Sequence, residues 1–501
     1  MLKVNSLRSR IDTYGLAAIL FVIGVVSRIP FRSSVLLHWD SVNFALALEH
    51  YDVRMHQPHP PGYFLYVMMG RAVQFLISDG NAALVWLSLV ASALGVVALY
   101  VLGAEMFDQR VGIISAALTL TSPLVWFHGE VALSYAVEFT LVTILATLGY
   151  RQLQGERRWW LWTALLLGVV GGVRQNTLVL LLPLWLACLW PLRWRKRFLS
   201  LAVLGTVMIG WFVPMIALSG GFDGYRAALR AATMDVARES SLLAPAQLTL
   251  NASRMALYLG YGLLLAILPL AWVVWQAARR WRTLVRDRRA WVMALWISPP
   301  LVFYVMVHLR QHGHIFTFMP AVLLLAGWGV VRFSEGMHRQ PLQRVVLIGV
   351  AAALLLVNVA FFLGAPASLL GSQRLPLQTP GWQTIRQRDQ YLGARITAIR
   401  DRFDPANTAV WSKGMYFRHP DYYFRDFHHP GLGHDVAAGP VLLDGDVKTL
   451  VLFDAGAELA SDPKVLSYVP LADGEYLAYI QRPAQYKFVV SQDAVCLCSV
   501  P

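Results

Sequence analysis

Long apolar runs recur along this chain from Tyr14 to about Leu363, each interrupted by a short polar stretch. A bilayer core about 30 Å thick takes about 20 apolar residues per helix. Spans are predicted near 14–30, 82–103, 112–127, 131–150, 159–173, 175–190, 199–219, 255–276, 290–308, 315–331 and 345–363. One further apolar segment, PGYFLYVMMGRAVQFLIS (61–78), carries Arg71 in its middle, and a central Arg costs roughly 2.5–3.5 kcal/mol on insertion scales. That segment is expected to lie in the membrane surface as an interfacial or re-entrant helix. The pattern predicts an α-helical polytopic membrane protein with about eleven transmembrane helices. Beyond Gly364 it changes. GWQTIRQRDQYLGARITAIRDRF has helical spacing, and TAVWS (408–412), TLVLFD (449–454) and EYLAYI (475–480) read as strands. A small C-terminal α/β domain is expected over 364–501, with an accessory or lid role.

Composition agrees: 57% of the residues are hydrophobic, only 14% are charged, and mean hydropathy is +0.51. The net charge of +14 changes the picture only through its location. From Gly364 onward 13 Lys/Arg meet 14 Asp/Glu, so the excess lies in the membrane part. It sits in MLKVNSLRSR, RQLQGERR (151–158), PLRWRKR (191–197), RRWRTLVRDRR (279–289) and RFSEGMHRQPLQR (332–344). Basic short loops mark the cytoplasmic side, so nucleic acid is excluded as the explanation. An even number of spans fits between successive clusters only if 61–78 does not cross. The N-terminus is then cytoplasmic and the 364–501 domain extracytoplasmic. The first apolar segment reads as a retained helix, lacking a small-residue cleavage site. Cys188 lies in an apolar run, and Cys496 and Cys498 are too few for a disulfide framework or a metal knuckle.

This topology places residues 31–81 in one long outer loop that includes the surface helix 61–78. Its stretch HWDSVNFALALEHYDVRMHQPHPPGYF is acidic and rich in His and Pro. Asp40 is either an ordinary loop Asp or a base at the membrane surface, where partial desolvation raises a carboxylate's pKa. In HQPHPPGY, two prolines fix the backbone and set His59 at the entrance to the surface helix. There it either faces solvent or meets a phosphate. The other outer segments are HGE (128–130), the corner at Arg174, Gln175 and Asn176, the loop 220–254, and RQHGH (310–314). Glu130 opens a span, where a carboxylate suits the helix dipole or does chemistry. Glu138 lies deeper; an intramembrane carboxylate is a functional candidate, or a simple partner for Arg174 or a Tyr. Asp223, Arg226 and Arg230 fit an amphipathic outer helix or a solvated loop.

An Asp shortly after the first span, a Pro-Pro-Gly-Tyr turn opening a surface helix, and basic inner loops resemble the GT-C superfamily of membrane glycosyltransferases. The likeness is to glycosyltransferase family 39, the protein O-mannosyltransferase-like and aminoarabinose-transferase-like group. FHGEVALSYAVE (127–138), GVRQNTLVLLLPLW (172–185) and HIFTFMPAVLLLAGWG (314–329) extend the resemblance over residues 14–363. It implies a polyprenyl-phosphate sugar donor and a glycan, lipid or protein acceptor meeting at the outer face. Asp40 matches the family's loop-one catalytic Asp, the base of an inverting displacement. A cation must stabilise the leaving phosphate, and His59, Arg174, Arg310 and His314 are the candidates. Tyr63, in the turn, and Asp52 complete the candidate substrate-binding set, and Glu130 joins Asp40 as a catalytic candidate. Where several relatives have an acidic and then a basic residue before the loop proline, this chain has Pro58 and His59. A divalent metal is therefore possible only with Asp52 or Glu130 as substitute ligands.

A transporter or flippase would show internal repeats and polar residues at the midplane, and neither is visible. A non-catalytic scaffold of the same fold is the remaining alternative. The terse cytoplasmic loops and the lack of a retention signal favour a bacterial inner membrane.

Overall fold

A computed structural model of the chain describes residues 2–238, 245–337, 339–370, 379–412, 414–430, 441–443, 445–454, 466–490 and 495–499. Contacts divide the chain into two compact units. One is Met1–Arg32 with Pro60–Thr384; the other is Ser33–His59 with Ile385–Pro501. The expected boundary at 363/364 is thus displaced, and most of the first outer loop folds with the C-terminal residues.

The first unit is helical. Among the described residues, six helices are long and apolar enough to cross a membrane: Tyr14–Phe31, Gly80–Met106, Trp194–Leu218, Pro245–Arg279, Arg288–Met306 and Gln340–Gly364. The other expected spans also fall on helices, namely Tyr135–Leu153, Trp160–Val173, Gln175–Leu189 and Met319–Glu335. The stretch expected as one span at 112–127 is two helices, Gln109–Thr121 and Pro123–His128. Pro123 has no N–H to continue the first ladder and suits the first turn of the second. Starts elsewhere are set by side chains, with the Asp79 carboxylate accepting from the Ala82 N–H at 2.7 Å and Asp108 capping the helix that follows it. Gly80–Met106 and Gln109–Thr121 pack backbone to backbone. A Cβ at Gly103 would meet Gly112 Cα at 2.8 Å, the close approach that small residues permit between membrane helices. The segment expected in the membrane surface forms the helix Phe64–Gln74. Its 11 residues rise about 16 Å, roughly half of a bilayer core.

The second unit is α/β, as expected. Its long helix begins at Trp382 in the first unit and runs to Arg402. The strands are β1 (Thr408–Trp411), β2 (Val441–Leu442), β3 (Thr449–Leu452), β4 (Leu466–Pro470), β5 (Tyr476–Gln481), β6 (Tyr486–Val490) and β7 (Val495–Ser499). One sheet has the order β1-β3-β5-β4, with β1 and β3 parallel and the other pairs antiparallel. A second has the order β2-β6-β7. On one face of the first sheet Leu392 and Ile399 of the helix meet Val410, Val451 and Leu477, and Val35 from the outer loop joins the same cluster.

Candidate active site

Asp40 lies in the first turn of a helix, Trp39–Glu49, whose residues 40–48 are all buried. His38 caps that helix: its Nδ1 accepts from the Asp40 N–H at 3.1 Å. Burial pushes the His38 pKa down to about 4, with Arg388 and His59 adding to the shift and Asp40 opposing it. The ring is therefore neutral at pH 7, in keeping with Nδ1 as an acceptor. A helix N-terminus favours a carboxylate's charge. The loop's far end comes back to it: His59 Nδ1 stands 3.4 Å from Asp40 Oδ1, with the His59 ring 5.4 Å from that of Phe44. The side chains of Asp40 and His59 remain 11% and 19% exposed, so the pair is shielded and still reachable.

Asp52 does something else. Its carboxylate takes Arg54 Nε on both oxygens at 3.1 Å and Nη2 at 2.6 Å. Its backbone exchanges hydrogen bonds with Gln57, closing the 52–57 turn. Burial raises its pKa, the Arg54 bonds more than offset this, and the net shift is downward. That is a fixed ion pair shaping the loop. Among the described residues, no three His, Cys, Asp or Glu side chains are grouped to hold a metal ion, so the suggested substitute ligands Asp52 and Glu130 do not assemble one.

Within the first unit, Tyr63 (φ +45°) precedes the helix Phe64–Gln74, directly after Gly62 (φ +124°), a backbone angle that favours glycine. The Tyr63 ring lies 5.4 Å from the Arg174 guanidinium, which also stacks on Tyr135 at 4.5 Å. Arg174 Nε pairs with Glu138 Oε2 at 3.1 Å, and Nη1 donates to Ser134 Oγ at 3.0 Å. Glu138 Oε1 accepts from Thr177 at 2.6 Å and Thr317 at 2.7 Å. The Glu138–Arg174 pairing is one of the alternatives the sequence left open. His314 stacks on Tyr304 with ring centres 5.3 Å apart, and Tyr304 accepts from Asn176 at 3.1 Å. Arg310 is exposed, and its carbonyl accepts from Tyr258.

Glu130 is fully buried, with neither carboxylate oxygen in a hydrogen bond inside 3.5 Å. Arg28, also fully buried, supplies the opposing charge and itself donates to Ser92, Gly24 and Leu120. A group so enclosed fits charge balance for Arg28 better than contact with an acceptor. Asp223, Arg226 and Arg230 lie on the helix Gly221–Arg238, as one of the two readings had it; residues 239–244 of that outer segment fall outside the described residues.

Several site neighbours were not singled out from the sequence. His128 Nε2 and His312 Nδ1 are 2.8 Å apart, and both residues lay in segments expected on the outer face from their polarity, HGE and RQHGH. The His38 cap was readable from its place before WDS, and Thr317 and Tyr304 were not, since nothing in an apolar run marks which hydroxyl a buried carboxylate will use.

Residues 58–217 match the model of the dolichyl-phosphate-mannose-protein mannosyltransferase family. Among solved structures the chain is similar to ArnT from Cupriavidus metallidurans bound to undecaprenyl phosphate, with TM-score 0.56 and 14% identity over 94% of this chain and 97% of that one. It is also similar to the archaeal oligosaccharyltransferase AglB from Archaeoglobus fulgidus in complex with an inhibitory peptide and a dolichol-phosphate. There the TM-score is 0.51 and the identity 12%, over 89% of this chain and 69% of that one. No curated protein matches in sequence. The likeness to GT-C proteins that the sequence suggested is thus met by both the matched family segment and the fold.

Proposed function

We propose that this chain, an integral membrane protein of the GT-C glycosyltransferase fold, transfers a sugar from a polyprenyl-phosphate carrier to an acceptor at the outer face of the membrane. The observation that carries this reading is the approach of His59 to Asp40 at a buried helix N-terminus, 3.4 Å apart from opposite ends of one loop. Asp40 is the base. It takes the proton of the acceptor hydroxyl as that oxygen bonds to the anomeric carbon. The bond from that carbon to the phosphate oxygen breaks on the opposite face, so the configuration inverts. The electron pair leaves with the phosphate, where donors already in place stabilise it best.

His59 stands beside the base and is kept as a candidate for that charge. The charge of Arg174 is balanced by Glu138, so Arg174 with Tyr63 is assigned to shaping the donor site, and Arg310 and His314 remain candidates for the phosphate. The carrier is inferred from ArnT bound to undecaprenyl phosphate and AglB with dolichol-phosphate. The sugar is a hexose or pentose, the acceptor a glycan, lipid or protein, and the home a bacterial inner membrane with the N-terminus inside and the α/β unit outside.

The test is sugar transfer in membranes from radiolabelled polyprenyl-phosphate sugars, comparing the wild type with Asp40→Asn. Labelled acceptor with the wild type and a loss of at least a hundredfold with a well-expressed variant is the expected result. Equal transfer by both removes Asp40 from the mechanism. No transfer by folded wild type from any donor removes the enzyme reading.

A further inference from the structure

The loop that carries Asp40 and His59 is held by cations of the C-terminal residues, and one of them touches both of its arms. Arg418 is 6% exposed. Its Nε donates to Asn43 Oδ1 at 3.0 Å, and its Nη2 donates to the Met55 carbonyl at 3.1 Å. Asn43 lies one helical turn beyond Asp40, on the same helix and face. Met55 precedes the 56–59 segment that ends at His59. Asp421 accepts from Nη1 and fixes the third edge of the guanidinium. A planar fork of five donors serves three acceptors in three directions at once; an ammonium on a flexible stem does not reproduce that geometry.

Neighbouring contacts fix the segment before the helix. Arg388 Nη1 donates to the Leu37 carbonyl at 3.0 Å, His419 Nε2 to the Leu36 carbonyl at 2.7 Å, and the Leu36 N–H donates to Tyr423 Oη at 2.8 Å. These bonds set where the helix starts. Arg418 sets how the two arms meet.

We infer that Arg418 is a positioning residue for the Asp40–His59 pair, and that the C-terminal α/β unit serves as the scaffold of the catalytic loop. This rests on the reading of Asp40 as the base. Arg418 touches no substrate in this scheme. It acts by holding a carboxylate and an imidazole that arrive from opposite ends of one loop, and a displacement near 1 Å at reacting groups costs about a hundredfold in rate.

The experiment compares full-length Arg418→Lys, Asn43→Asp, Asn43→Ala and Asp40→Asn in the transfer assay, with trypsin cleavage at Arg54 as a second readout. Arg54 is half exposed and adjoins the Met55 carbonyl that Arg418 holds, so a released arm is cut faster. Arg418→Lys is expected to lower kcat by ten- to a hundredfold with the donor KM within twofold. It should also alter the pH profile of kcat and speed cleavage at Arg54. Asn43→Asp keeps an acceptor and should retain most of the activity; Asn43→Ala should lose several-fold. If Arg418→Lys does not accumulate folded, the two Asn43 variants decide alone, and equal kcat for both overturns the inference. Wild-type kcat in folded Arg418→Lys, with Asp40→Asn inactive, overturns it while sparing the base. A loss expressed wholly in KM also overturns it. Full activity of Asp40→Asn overturns the base reading and this inference with it.

Discussion

Glu138 and Arg174 are 1% and 4% exposed, and each is tolerable there only because of the other. The carboxylate also takes two threonine hydroxyls and the guanidinium a serine and two aromatic faces. Such a site is unforgiving of half-removal, because the surviving charge stays buried without its partner. Glu138→Gln is expected to destabilise the first unit by about 3–5 kcal/mol, read as a lower melting temperature in detergent. An unchanged melting temperature would mean that the pair is more hydrated than its burial implies. The pairing was one of the readings the sequence left open, since an intramembrane carboxylate is either functional or a partner for Arg174 or a Tyr. Glu130 was open in the same way. Its position at the start of an apolar run suited either the helix dipole or a chemical role; the residue is fully buried, with Arg28 as its opposing charge.

Among the elements, the short 3-10 helix His312–Thr317 shows how a loop can be fixed by one missing side chain. A Cβ at Gly313 would stand 2.4–2.5 Å from three ring atoms of Tyr135. Tyr135 in turn donates to Gln311 Oε1 at 2.6 Å and carries the Arg174 guanidinium. Gly313→Ala must push the ring aside, an overpacking that costs about 1–3 kcal/mol. Its expected signature is a raised donor KM together with the stability loss; stability loss at unchanged KM would confine the effect to packing. The apolar helices themselves were readable because hydropathy is local and each run carries its own signal. The break at Ser122 was missed, because the apolar run across it masked the stop that Pro123 marks. The segment kept apart from the expected spans because of Arg71 forms the short helix Phe64–Gln74, which is not among the six helices long and apolar enough to cross a membrane.

At the scale of the molecule, the division into units was not legible. The helix 382–402 and three of the strands announced themselves, but Arg418 and Asn43 are 375 positions apart and Arg388 and Leu37 are 351 apart. No local pattern links such pairs. A basic residue in a soluble tail looks the same whether it faces water or a loop carbonyl. Two histidines of this second unit, His419 buried and His38 nearly so, also give it a pH dependence. Burial pushes His38 and His419 down to about 4, against an ordinary value of 6.5. The unfolded chain therefore binds protons between those values that the folded unit refuses. The stability from keeping each ring neutral is complete above pH 6.5 and falls as pH drops toward 4, by up to roughly 3 kcal/mol per ring. Proteolysis of the second unit should speed up markedly between pH 7 and pH 4.5, and His419→Gln should flatten that slope. A resistance to protease that is level across the range would place these rings in contact with water.

The interleaving of Ser33–His59 with Ile385–Pro501 also sets an order of events during synthesis. Asp40 leaves the ribosome early, while Arg388 and Arg418 follow more than 340 residues later, roughly 20–70 s at ordinary translation rates. Until then Asp40 sits in a nascent loop that has neither cation to hold it in register. Translation stalled before Ile385 therefore leaves a chain whose apolar helices can enter the bilayer while Ser33–His59 still lacks the residues it folds with.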